Sequence, residues 1–251
     1  MLNIDFQKKE LAIHLSPERW GIFTYIFYIC SVAVGAVLTF IFVPHRIRDN
    51  LIYKWFGYNN VCVFFDYPPA NQVLPFLWSL TTILFFVYLF SFWARYAIGY
   101  QNKKFSKRDF SLATIGFFSL IVISSFFTLS YAVGPEESKL FHNFPFTVMI
   151  FGLIILAAIT LYYYTIYAKP TLVEKRLIVI YFIIHTILSL SKMFMQINVL
   201  SGDVFFSSME NAKFFQWIDR AWLLFAMFIP IFISYYFRNR VPILKLSSKE
   251  Q

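Results

Sequence analysis

Residues 214–237, FFQWIDRAWLLFAMFIPIFISYYF, decide how the rest of the chain is read. Their length and apolar content fit a membrane-spanning helix, since about 20 residues at 1.5 Å each cross a hydrocarbon core of about 30 Å. Yet Asp219 and Arg220 lie within the first two turns. A charge at the bilayer centre costs roughly 2.5–3.5 kcal/mol on insertion scales, and less near the interface. Charged side chains inside a span therefore face a bundle interior or a polar site, and these two are expected to do so.

Composition extends the membrane reading to the whole chain. The 251 residues are 59% hydrophobic, 22% aromatic and 14% charged, whereas a soluble domain carries about 25% charge. Apolar runs of spanning length occur at 21–43, 74–93, 110–133, 144–167, 177–197 and 214–237. They lack the alternation of a barrel strand, and only helices or closed barrels satisfy their backbone groups in lipid. The expected fold class is an all-α integral membrane protein, a bundle of six transmembrane helices. Ser31, Ala33, Gly35 and Ala36 give the first span a small-residue stretch for close helix contact. Residues 1–20 read as a cytoplasmic segment forming a short interfacial helix, with a helix start at Ser16-Pro17-Glu18. They are too polar, and the span behind them too long, for a cleavable signal. Residues 238–251 form a basic tail.

Lysine and arginine set the orientation. Fifteen fall beside one set of span ends, in 1–20, 94–109, 168–176 and 238–251, and five (Arg46, Arg48, Lys54, Lys139 and Lys213) beside the other. Both termini are therefore expected on the cytoplasmic side, or in the matrix of a mitochondrion. The net charge of +9 is explained by these short loops, and no nucleic-acid partner is expected. The first lumenal loop, 44–73, is long enough to fold over the bundle. The second is acidic at Glu136-Glu137, and the third, 198–213, contains Gly202-Asp203.

The fifth span carries a polar stripe, His185, Ser189, Lys192 and Gln196, whose spacings of four, three and four put them on one helical face. His185 lies near mid-membrane and Lys192 near the lumenal end. Asp219 and Arg220 of the sixth span, His142 at the start of the fourth and Asp66 in the first loop reach the same depth. Five ionisable groups from distant parts of the chain thus converge. A structural alternative stands beside this one: Lys192 and Arg220 snorkelling, Asp219 neutralising one of them, His142 as a cap, His185 bonded to a neighbouring helix, Asp66 solvated. Arg95 reads as an anchor to headgroups.

No His-x-x-x-His or Glu-x-x-His spacing occurs, nor paired histidines for haem, a P-loop, a Gly-x-Ser-x-Gly elbow or a dinucleotide fingerprint. No metal or cofactor is expected. Cys30 and Cys62 lie at different depths and suggest neither a disulfide nor a metal site. Clustered cations suit a phosphorylated lipid headgroup, with His142 as an acid–base group, and phenylalanine-rich walls suit acyl chains.

Two stretches carry a family resemblance. Glu136-Glu137-Ser138-Lys139-Leu140-Phe141-His142-Asn143 leads a polar turn into a histidine at a span start, and Phe214-Phe215-Gln216-Trp217-Ile218-Asp219 places an acid after aromatics early in the last span. With six spans, cytoplasmic termini and a long first loop, residues 20–240 resemble the DRAM/Frag superfamily, which includes damage-regulated autophagy modulators and factors that remodel GPI-anchor lipids. In this chain Asp66-Tyr67-Pro68-Pro69 stands where that family often has a Ser/Asp-Thr-Gly turn, and Asp219-Arg220 where it commonly has Glu and an aromatic. The resemblance implies functional roles for His142 and Asp219, and for Asp66 with less support, and residence in secretory or endolysosomal membranes. The expected function is lipid handling, with His142 and Asp219 as catalytic candidates and Lys192, Arg220, Asp66 and His185 as substrate-binding ones. Membrane lipids are the expected partners. A small-solute or ion transporter using Lys192, Asp219 and His185 is one alternative. A non-catalytic subunit with protein partners in a larger complex, such as one in the mitochondrial inner membrane, is another; the 33 Phe residues fit an A/T-rich coding source.

Overall fold

A computed structural model of the chain describes residues 2–5, 10–47, 49–201, 209–241 and 244–247. Its helices are α1 (Pro17–Phe42), α2 (Leu51–Phe56), α3 (Ala70–Gln101), α4 (Lys107–Phe127), the single turn α5 (Leu129–Ala132), α6 (Lys139–Tyr167), α7 (Leu172–Ser201), α8 (Met209–Leu223) and α9 (Ile229–Phe237). Six helical stretches are long and apolar enough to cross a membrane: α1, α3, α4 with α5, α6, α7, and Ala212–Phe237 through α8 and α9. Each covers an expected span to within a residue, then continues through polar residues to a cap. Ser16 accepts from the Arg19 amide ahead of Pro17, Ser106 and Asp109 form a capping box, and Ser138 accepts from the Phe141 amide.

The segment before Ser16 differs from the expected interfacial helix. Strands β1 (Leu2–Asp5), β2 (Glu10–Leu15) and β3 (Leu244–Ser247) form an antiparallel sheet in that order. Leu11, Ile13 and Leu15 alternate with Glu10, Ala12 and His14, which is strand periodicity. The pairing of Ile13 with Leu246 puts both chain ends at one end of the bundle, the terminal face; the opposite end is the distal face. The bundle itself is helical throughout. Within the expected third loop, 202–208 lie outside the described residues, and so do residues 6–9, Arg48, and 242–243 and 248–251 of the basic tail.

Each long helix packs on its neighbour in sequence, and α9 returns to α1. The ring therefore closes in chain order and encloses an interior that lipid cannot reach. On α1 the inward face is Ser31, Gly35 and Thr39, four residues apart and buried, while Ala33 faces outward. A Cβ on Gly35 would meet the Phe64 carbonyl at 2.6 Å, so the missing side chain is what lets the first loop seat there.

That loop closes the distal face. Ile52 and Phe56 of α2 and Val63 beyond it are wholly buried. Phe56, Cys62 and Phe65 form one apolar cluster with Leu74 of α3 and Met195 and Val199 of α7. Asn50 ties the loop together: its amide donates to the Arg46 and Ile47 carbonyls at 2.7 and 3.2 Å, and its oxygen caps α2 at the Tyr53 amide at 2.7 Å. The expectation of a loop folded over the bundle is met in this form.

The last span is interrupted by a π-helical turn, Leu224–Phe228, where the Ile229 amide bonds back to the Leu224 carbonyl. The same offset would bring Pro230 to the Phe225 carbonyl, but proline has no N–H. Tyr181 of α7 supplies the donor instead, with its hydroxyl 3.0 Å from that carbonyl. A backbone group midway along a helix of spanning length is thus satisfied from a neighbouring helix.

Candidate functional site

Two ion-bonding pairs lie beneath the distal loop. Lys192 of α7 and Asp219 of α8 form an ion pair, and the two residues are 0% and 4% exposed. Lys192 does not snorkel: its ammonium is held 5.5 Å from the Phe56 ring and 5.8 Å from the Phe146 ring, within cation–π range. Phe56 arrives from the loop and Phe146 from α6, so the cation is roofed and walled by aromatic faces.

The second pair joins the loop to α6. Asp66 Oδ1 lies 3.4 Å from His142 Nε2, with both side chains buried. His142 Nδ1 is 2.9 Å from the Val133 carbonyl. A carbonyl only accepts, so Nδ1 carries the hydrogen and Nε2 is left to face the carboxyl. Burial pushes the Asp66 carboxyl well above its usual range. Asp66 therefore holds a proton and shares it with Nε2.

Cys62 bridges the two pairs, lying within electrostatic reach of Asp66, Lys192 and Asp219, and Tyr58 lies beside Lys192 and Asp219. Burial raises both the Cys62 thiol and the Tyr58 hydroxyl, so Cys62 is a thiol rather than a nucleophilic thiolate. Several buried polar atoms make no well-formed hydrogen bond within the protein: the Tyr58 hydroxyl, which faces the Lys192 ammonium, Asp66 Oδ2 and both amide atoms of Gln196, one turn from Lys192. Unmet polar groups at such depth are costly, about 1–3 kcal/mol each, and they gather where four charged or titratable side chains already meet. The site offers donors and acceptors to a polar ligand.

An apolar cavity adjoins it. Its walls include Tyr28 of α1, Trp78 and Phe85 of α3, Phe146 and Met149 of α6 and Trp222 of α8. Its volume is about 60 Å³, room for a few water-sized groups at ~10–15 Å³ each. Phe146 belongs to both regions, facing the Lys192 ammonium and lining the cavity. On the other side, the Trp222 indole donates to the Ser189 hydroxyl at 3.1 Å.

Four of the five converging groups thus meet: Asp66, His142, Lys192 and Asp219. Arg220 does not join them. It is exposed on the outside of α8, its guanidinium 5.5 Å from the Trp217 ring, because one residue along a helix turns about 100° and Asp219 takes the inward face. His185 is buried, as its place in the stripe requires, but two turns from Lys192, stacked on Tyr181 with ring centroids 5.7 Å apart. It belongs to a separate region nearer the terminal face. Arg95 is not a headgroup anchor: α3 continues to Gln101, and Arg95 is 4% exposed inside the bundle. Tyr58 and Cys62 are not legible as site residues in the sequence, since only the folded loop delivers them.

Comparison of the chain with protein-family models, with curated proteins and with solved structures finds no match.

Proposed function

We propose that the chain is a multi-pass membrane protein that handles lipids, with both termini cytoplasmic and the distal site beneath the lumenal headgroups. The observation that carries this reading is the junction at Phe146, where a buried cluster of donors and acceptors adjoins an apolar, mainly aromatic-lined cavity. An amphiphile has that same order of polarity. Its headgroup would exchange hydrogen bonds with Gln196, Tyr58 and Lys192, and a stretch of chain would enter between Trp78, Phe146 and Trp222. His142 and Asp66, which hold one proton between them, stand where a headgroup ester or phosphate would be polarised or protonated.

The charge asymmetry of the loops supports the orientation. The resemblance to the DRAM/Frag superfamily points to phospholipid or GPI-anchor remodelling in secretory or endolysosomal membranes. Intramembrane ionisable groups mark functional sites by default because lipid makes them costly. A buried pair is also weak support for stability, which leaves function as the reason for its cost.

The test is purification in mild detergent followed by mass spectrometry of what co-elutes. One lipid class enriched with the wild type and lost with His142→Ala and Lys192→Met, both still monodisperse, supports the reading. A wild-type lipid profile matching that of an unrelated six-span protein overturns it, and stoichiometric protein partners would favour the subunit alternative instead.

A further inference from the structure

The terminal half of the bundle holds a second buried polar region that the lipid site does not use. Glu18, in the first turn of α1, is 1% exposed. Ser16 donates to its Oε2 at 3.1 Å and the Glu18 amide lies within reach of the carboxylate, while Oε1 makes no well-formed hydrogen bond within the protein. Arg95 of α3 lies within electrostatic reach, so a negative charge on Glu18 is balanced when its proton leaves. Tyr88 of α3 and Tyr164 of α6 both lie near Glu18 and near each other. A Cβ on Gly21 would come within 2.7 Å of the Tyr88 ring; glycine at this position lets that tyrosine lie against α1, one turn from Glu18.

Tyr88 and Tyr164 also line an internal chamber with Tyr25, Tyr181, Ser234 and His185. His185 is 1% exposed and faces the Leu153 carbonyl, yet neither ring nitrogen makes a well-formed hydrogen bond. Thr160 is the remaining polar residue of the lining. No lining residue is charged; among the described residues Glu18 and Arg95 stand toward the terminal face, and Lys192, two turns along α7, pairs with Asp219 of α8 toward the distal one. Ser189, wholly buried, lies between His185 and Lys192 on the same helical face. The chamber volume is about 20 Å³, enough for one or two waters at ~10–15 Å³ each and too small for a solute.

We propose that this chamber is a proton relay connecting the terminal face, through Glu18 and His185, to the distal cluster. Glu18 passes its proton to a tyrosine hydroxyl or water in the chamber as that group passes its own onward. His185 takes a proton on one ring nitrogen and releases the one on the other to the Ser189 hydroxyl, which passes its own to the Asp219 carboxylate; the proton leaves from there at the distal face, and Glu18 is reloaded from solution. No electron moves, and the driving force is the proton gradient or membrane potential. The inference stands independently of the lipid reading.

The experiment uses the full chain in liposomes holding a pH-sensitive dye, with a potassium gradient and valinomycin imposing a potential. The wild type is expected to pass protons at least fivefold faster than protein-free liposomes. Glu18→Gln and His185→Phe should fall to the protein-free rate, and Arg220→Gln should match the wild type. Dicyclohexylcarbodiimide, which modifies protonated carboxyls in apolar surroundings, should block wild-type flux and label Glu18, a readout that needs no variant to fold. Wild-type flux at the protein-free rate, undiminished flux in either variant, or a block that leaves Glu18 unlabelled would each overturn the relay.

Discussion

The Lys192 ammonium and the Asp219 carboxylate meet between α7 and α8 with neither group open to solvent. Removing one partner leaves a buried charge uncompensated, so Asp219→Asn should destabilise the protein by about 3–5 kcal/mol. The double variant Lys192→Met with Asp219→Leu should recover most of that loss, since an apolar pair of similar volume carries no desolvation penalty. It should still elute without the enriched lipid. Thermal unfolding in detergent and lipid analysis of the same samples separate the two roles. Full lipid retention in a stable double variant would make the pair a mere helix clamp.

The proton shared by Asp66 and His142 predicts a pH dependence. A carboxyl raised by burial binds its proton more tightly folded than unfolded. It favours the folded state at low pH and loses that advantage as pH rises through its folded value. Wild-type stability should therefore be level between about pH 4 and about pH 6.5 and decline above about pH 6.5, because the folded pair keeps one proton while the unfolded chain holds one up to ~6.5 and none beyond it. In Asp66→Asn the amide donates to Nε2 without a titrating proton, so the decline should flatten. Scanning fluorimetry across that range decides it, and parallel curves for the two proteins would contradict the shared proton.

Much of this arrangement is legible in the sequence, and the parts that are not have identifiable causes. Lys192 and Asp219 stand out because each breaks an apolar run, and helical spacing puts Lys192, Ser189 and His185 on one face. Arg220 does not follow Asp219 inward because adjacency in sequence does not fix which of two neighbours turns toward the interior. Glu18 resembles an ordinary acid at a helix start, where the helix dipole favours it. Its burial depends on Tyr88 and Arg95 of α3 and Tyr164 of α6 closing around the start of α1, contacts between distant parts of the chain. Arg95 reads as a helix end because the apolar run stops near Trp93, although the capping box at Ser106 allows a longer helix. The alternation in β2 is present in the sequence, but its partner β3 lies at the far end of the chain, and the helix start at Ser16 directly follows it.

The loop over the distal site should open at its internal ties rather than at its rim. Arg46 and Glu136 are 3.6 Å apart with side chains 39% and 60% exposed. Arg46→Gln should therefore cost no more than about 1 kcal/mol. Asn50, 2% exposed, holds both the Arg46 and Ile47 carbonyls and the start of α2. Asn50→Ala should cost about 1–3 kcal/mol or more and speed hydrogen exchange in residues 51–65 while leaving α4 and α6 unchanged. Equal exchange in the two variants would show that the rim pair, not Asn50, governs opening.

The π-helical turn offers a test of backbone satisfaction within the membrane. Tyr181 donates to the Phe225 carbonyl because residue 230, five positions on, is proline. Tyr181→Phe should cost about 1–3 kcal/mol, the penalty for an unmet buried acceptor. Pro230→Ala restores an N–H within the same helix, either closing the π offset to Phe225 or allowing ordinary α-helical bonds through the turn. In that background the tyrosine hydroxyl becomes redundant, and Tyr181→Phe should cost less than about half as much. A double-mutant cycle from unfolding in detergent measures the coupling, expected at about 0.5–3 kcal/mol for residues sharing one partner. Strict additivity would mean that the Phe225 carbonyl does not depend on Tyr181, and a tyrosine at position 181 would then need another cause.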